Sequence, residues 1–187
     1  MSDSQSTPGK LAENLSMSEE QIALMGEVFA RGTEKLGIDG RKIFEKISET
    51  GSVAGALGVS DAMIENLYAS AHRQFVIGQL DRAEQLFRVL CSLAPKGVDH
   101  WLGYGICLRA RGLQDAALAA FGTAAKVAPE AAVPHFHRLE ILIRTEEWEA
   151  AKEALSLFDE KASEAEKEKL GDALEPFRTA LSMRKNG

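Results

Sequence analysis

Four histidines and two cysteines are the side chains of this sequence best suited to metal binding, proton transfer or nucleophilic attack. They are His72, His100, His135, His137, Cys91 and Cys107. A metal or catalytic centre needs such groups to converge, as in HExxH or CxxC spacings, and none of these spacings occurs in the sequence. His135 and His137 lie two apart, so on one helix they point to different faces. Gly103 and Gly105 flank a tyrosine inside an apolar stretch, which suits close helix packing better than a phosphate loop. Glu146, Glu147 and Glu149 read as a solvated turn and helix start. Both cysteines fall on predicted helices and are expected to be buried and reduced. The pattern predicts no enzyme, no metal site and no cofactor.

A second set of residues has the spacing of a binding surface. Tyr68, His72, Phe75 and Val76 recur as Leu102, Ile106, Arg109 and Ala110, and again as Phe136, Glu140, Ile143 and Arg144. Within each group the first three residues are four and three apart, with the fourth adjacent to the third, and so fall on one side of the helix. The composition is aromatic and aliphatic with few polar groups. Such a face takes up the spaced side chains of an extended peptide.

The elements that carry this set repeat. Ile64–Gly97 laid on Val98–Ala131 superposes Gly78 on Gly112, Asp81 on Asp115, Ala83 on Ala117 and Phe87 on Phe121. It also superposes Ala94-Pro95 on Ala128-Pro129. The shared glycine can end a first helix in a left-handed conformation, and the proline closes the unit. A small residue, Ala71 or Gly105, sits twelve before the shared alanine, as two close antiparallel helices require. This 34-residue frame is the tetratricopeptide pattern of helix, turn and helix. A third copy starts at Ala132 and keeps Ala151, but has Glu146 at the turn. Terminal repeats commonly lose consensus residues.

The predicted architecture is an all-α tetratricopeptide-repeat solenoid with N-terminal helices and a C-terminal capping helix. Residues 1–15 are expected to be disordered, and 16–60 to form an N-terminal helical segment. The repeats are predicted at about 64–97, 98–131 and 132–163, within a domain of 61–163. Residues 164–187 are predicted as the capping helix and tail. Ser18 with Gln21, and Ser163 with Glu166, have the spacing of capping boxes. The predicted repeat helices are 61–77 with 80–93, 98–111 with 113–127, and 132–144 with 147–158.

Hydrophobic residues make up 45% of the chain and charged residues 27%, enough apolar content for a core. A net charge of −6 disfavours nucleic acid as a partner, since phosphates call for a basic field. No apolar run is long enough to span a membrane. The polar start, Met1–Lys10, has no apolar signal core. The expected location is therefore the cytoplasm.

Several stretches resemble the SycD/LcrH-type class II chaperones of bacterial type III secretion. They are Ile64–Ala71 with Phe75, Gly78, Ala83 and Phe87, then Trp101–Cys107, Pro134–Leu142, and the preceding Phe44–Asp61. The resemblance spans roughly Phe44 to Phe158. It implies a cytosolic chaperone with three repeats that holds a segment of a hydrophobic translocator protein in its concave groove. It also implies Tyr68, His72 and Phe75 as the aromatic positions of the first groove helix, His72 replacing the usual aromatic. A homodimer through the N-terminal helices and a transcriptional regulator partner are further implications. The alternative is a repeat module of another kind, a scaffold or regulatory protein holding a transcription factor. A clamp for a C-terminal carboxylate is disfavoured, because its Lys, Arg and Asn positions carry Tyr68, His72, Leu102 and Ile106 here.

Overall fold

The computed structural model of the chain describes residues 9–34, 37 and 39–184. Among these residues every regular element is helical. The order is α1 (Lys10–Leu15), α2 (Glu19–Glu34), α3 (Gly40–Thr50), α4 (Val53–Ala56), α5 (Asp61–Val76) and α6 (Leu80–Leu93). It continues with α7 (Val98–Ala110), α8 (Gln114–Val127), α9 (Val133–Arg144), α10 (Trp148–Lys161) and α11 (Glu164–Met183). The chain divides into two compact units, residues 1–66 with 92–94, and residues 67–91 with 95–187.

In the first unit α2 opens at the expected capping box. The Gln21 amide donates to Ser18 Oγ over 3.3 Å, and the Ser18 amide donates to Gln21 Oε1 over 2.9 Å. Phe29 of α2 meets Phe44 of α3, with ring centroids 5.9 Å apart. Asp39 caps α3 by accepting from the Lys42 amide, and Ser52 caps α4 through the Gly55 amide. One expectation is corrected here. Lys10–Leu15, read as part of a disordered terminus, forms α1. A six-residue helix is too short to persist by propensity alone. It is held by buried Ala12, by Asn14 Nδ2 donating to the Gly51 carbonyl, and by the Gly9 amide donating to Glu19. Residues 1–8 of that expected segment lie outside the described residues.

The second unit is built from helical hairpins in the predicted frame. Gly78 and Gly112, at φ 78° and 79°, reverse the chain after α5 and α7. The amides of Gln79 and Leu113 then donate to the carbonyls of Gln74 and Leu108, at 2.9 and 3.0 Å. These bonds satisfy carbonyls that a helix end would otherwise strand. The third turn keeps the same bond, Glu147 to Leu142 at 2.9 Å, with Glu146 at φ 61° in place of glycine.

Small residues set the helix spacing as the frame required. Ala71, Ala83 and Ala117 are fully buried, and a side chain on Gly105 would come within 2.5 Å of the Phe121 ring. Phe121 anchors a cluster with Leu108, Ala117, Ala120 and Ile141. A second cluster joins Phe136, Leu139 and Leu142 of α9, Phe158 of α10, and Leu174 and Leu181 of α11. The Ser163–Glu166 capping box opens α11, which runs through Pro176 and covers the third hairpin.

Candidate functional site

A cleft of about 250 Å³ lies on the side formed by the first helix of each hairpin. From α5 it takes Tyr68, His72 and Phe75, and from α6 Phe87. From α7 it takes Asp99, Leu102, Gly103 and Ile106, and from α9 Val133 and His137. Tyr68 stands edge-on to Phe87 with centroids 5.9 Å apart, and its other side meets His100 at 5.9 Å. Burial first, and the Asp99 carboxylate second, push the Tyr68 phenol up, so its hydroxyl stays protonated.

Five of the residues read from the sequence thus converge: Tyr68, His72, Phe75, Leu102 and Ile106. Val76 does not line the cleft and is 68% exposed. Arg109 and Glu140 are not among the residues lining the cleft. Arg109 Nη1 donates to Glu140 Oε2, and the same oxygen accepts from His137 Nδ1 over 2.7 Å. Phe136 is buried in the core of the third hairpin and Ile143 packs, partly buried, against that cluster, and neither lines the cleft. The Phe136 ring lies 6.1 Å from Phe158 and 6.4 Å from Phe177 of α11.

The placement of Phe136 has a simple geometric cause. Each first helix has two flanks, one toward the preceding hairpin and one toward the following. Tyr68 and His72 lie on the second flank of α5, and Leu102 and Ile106 repeat them on α7. The same flank of α9 carries Phe136 and Glu140, but there α11 follows, and Phe136 is covered. The cleft instead takes the first flank of α9, Val133 and His137, which repeats Asp99 and Gly103 of α7. Asp99, Gly103, Val133 and His137 were missed for that reason. Phe87, a shared position of the repeat frame, also lines the cleft. It reaches the cleft because Gly103 has no side chain, and a Cβ there would collide with the Phe87 ring.

The cleft is poor in reactive groups. Cys91 and Cys107 are buried and free, and burial pushes their thiols up to about 12 and about 11. Among the described residues no group of three or more His, Cys, Asp or Glu could hold a metal ion. Among the same residues no helix is long and apolar enough to cross a membrane.

Fold and cleft together define a helical-repeat protein with an apolar recess on its first-helix face. No family model and no curated protein sequence matches the chain. Solved structures do. The chain is 27% identical to the type III secretion chaperone SycD of Yersinia enterocolitica in complex with a peptide of the translocator YopD. That match has a TM-score of 0.65 and covers 68% of this chain and 98% of SycD. A type III secretion complex from Aeromonas hydrophila is 26% identical, with a TM-score of 0.67, over 75% of this chain and 97% of its own. PcrH of Pseudomonas aeruginosa, in complex with the chaperone binding region of PopD, shares the fold at 23% identity and a TM-score of 0.63. It is covered over 97% of its length, against 68% of this chain. The resemblance to class II type III secretion chaperones drawn from the sequence is therefore carried by the three-dimensional fold as well.

Proposed function

We propose that this protein is a cytosolic type III secretion chaperone that holds an extended segment of a hydrophobic translocator in the cleft between α5, α7 and α9. The supporting observation is the convergence of Tyr68, His72, Phe75, Leu102, Ile106 and Val133 on one open apolar recess. It stands in a chain 27% identical to a chaperone solved with a translocator peptide. At about 250 Å³ the recess is smaller than the ~300–1,000 Å³ pockets that enclose whole small molecules. It suits single side chains projecting from an extended chain. Covering apolar client surface lowers the population open to aggregation and requires no nucleotide.

The test is binding of fluorescent peptides tiled across the translocators of the same secretion system. The double variant Tyr68→Ala/Phe75→Ala removes two aromatic walls and is expected to abolish binding with helical content unchanged. Undiminished anisotropy of the double variant would overturn the cleft as the client site.

The neighbours also bear on self-association, since SycD has been solved as an alternative dimer. In this chain α2 exposes Leu24 and Val28, one turn apart, at 62% and 64%. We propose that this face of α2 pairs with a second copy.

A further inference from the structure

The imidazole of His137 is held on three sides. It stacks on Phe121 with centroids 5.0 Å apart and planes at 24°. Phe136 meets its edge at 5.3 Å. Its Nδ1 lies 2.7 Å from Glu140 Oε2, an oxygen that also accepts from Arg109. A carboxylate can only accept, so the proton between them belongs to Nδ1. Burial, and then the Arg109 charge, lower the imidazole pKa to about 4. The ring is therefore neutral, and the contact is a hydrogen bond rather than an ion pair. A neutral ring protonated on Nδ1 leaves a bare lone pair on Nε2. The ring lines the cleft, and its hydrogen bond to Glu140 runs through Nδ1, not Nε2.

Of the other polar groups of the cleft, Asp99 brings only acceptor oxygens, the Tyr68 hydroxyl and the His72 ring can each donate or accept, and the remaining walls are apolar. A backbone N–H of an extended segment seated there needs an acceptor on the wall, because a buried unmet donor is strongly unfavourable. We propose that His137 is a specificity-determining residue of the cleft, its Nε2 accepting a hydrogen bond from one backbone N–H of the bound segment. Arg109 and Glu140 are positioning residues, which fix the tautomer and the plane of the ring. The inference rests on the translocator-segment reading for the occupant, and adds a rule to it. One position of the segment must carry an N–H and so excludes proline.

The experiment uses the full chain and the tiled translocator peptide that wild type binds most tightly. Nitrogen-15 imidazole spectra of the free protein are expected to show His137 protonated on Nδ1. The Nε2 resonance should then shift on peptide addition. An Nε2–H tautomer overturns the inference without any variant being made. A peptide series replaces each backbone N–H in turn by an ester oxygen. One position should weaken wild-type binding roughly five- to tenfold, the loss of one hydrogen bond. That penalty should vanish in His137→Phe, which keeps the aromatic stack, and return in part in His137→Gln, which restores an acceptor. If no ester penalty depends on residue 137 while Tyr68→Ala/Phe75→Ala still abolishes binding, the inference fails and the cleft stands. If the double variant also binds normally, both fail.

Discussion

Gly103 leaves open the space through which the Phe87 ring reaches the cleft. Phe87 is itself only 3% exposed, so the ring has little room to retreat. Gly103→Ala is therefore expected to destabilise the fold by about 1–3 kcal/mol, the usual range for overpacking. Urea unfolding measures the loss, and the displaced ring should weaken client peptide binding in the same variant. His137 makes a prediction of a different sign. Its folded pKa is about 4, against ~6.5 in an unfolded chain. Below ~6.5 the unfolded state binds the proton first, so stability is full above that pH and falls as pH drops toward 4. The loss from this group is on the order of 2–3 kcal/mol. Equilibrium unfolding at a series of pH values should show that slope, and His137→Gln should flatten it. An unchanged slope in the variant would assign the acid sensitivity to other groups, such as His135, whose pKa burial also lowers.

At the scale of the elements, the turn between α9 and α10 carries a strain the other two avoid. Glu146 holds φ 61° where Gly78 and Gly112 stand in the first two hairpins. A side chain in the left-handed region costs roughly 1–2 kcal/mol, part of which glycine gives back through its freer unfolded chain. Glu146→Gly is expected to raise Tm by a few degrees, corresponding to a gain of about 0.5–1 kcal/mol. Ser163 works in the opposite direction. Its hydroxyl accepts from the Glu166 amide, and the Glu166 side chain in return accepts from the Ser163 amide. Ser163→Ala should cost about 1 kcal/mol. The Ser163 hydrogen bonds hold the Glu166 carboxyl below the usual range, so this contribution is present above that range and lost as pH falls through it.

These elements were largely legible. The frame of Gly78, Ala83 and Phe87 recurring as Gly112, Ala117 and Phe121 placed the hairpins, because each residue answers a local geometric demand. The same periodicity singles out Tyr68, His72, Leu102 and Ile106, which line the cleft. It misplaced Phe136 and Ile143, because periodicity states which flank a residue occupies and not what lies against that flank. Only α11, whose own sequence lies outside the frame, decides that Phe136 is core.

For the molecule as a whole, two contributions are separable. The self-association proposed above rests on the first unit, where Leu24 and Val28 of α2 are exposed. Leu24→Glu with Val28→Glu places charge on the exposed face of α2 and should return a dimer to monomer mass in light scattering, with client peptide affinity retained. Stability of the second unit depends on how far its clusters act together. Leu118 packs against both the Phe121 cluster and the Phe136 cluster, and Ile141 of α9 belongs to the former. Neighbouring hairpins are thus linked while each keeps its own aromatic centre, the arrangement of nearest-neighbour coupling in repeat proteins. Leu174→Ala tests this from the C-terminal end, since Leu174 is 2% exposed and packs in the Phe136 cluster. The truncation should cost about 2–4 kcal/mol. Hydrogen exchange should show the largest loss of protection in α9, α10 and α11, a smaller one in α7 and α8, and the least in α5 and α6. Equal loss in all seven helices would instead make the hairpins a single cooperative block. The cleft would then owe its shape to α11 as much as to the helices that line it.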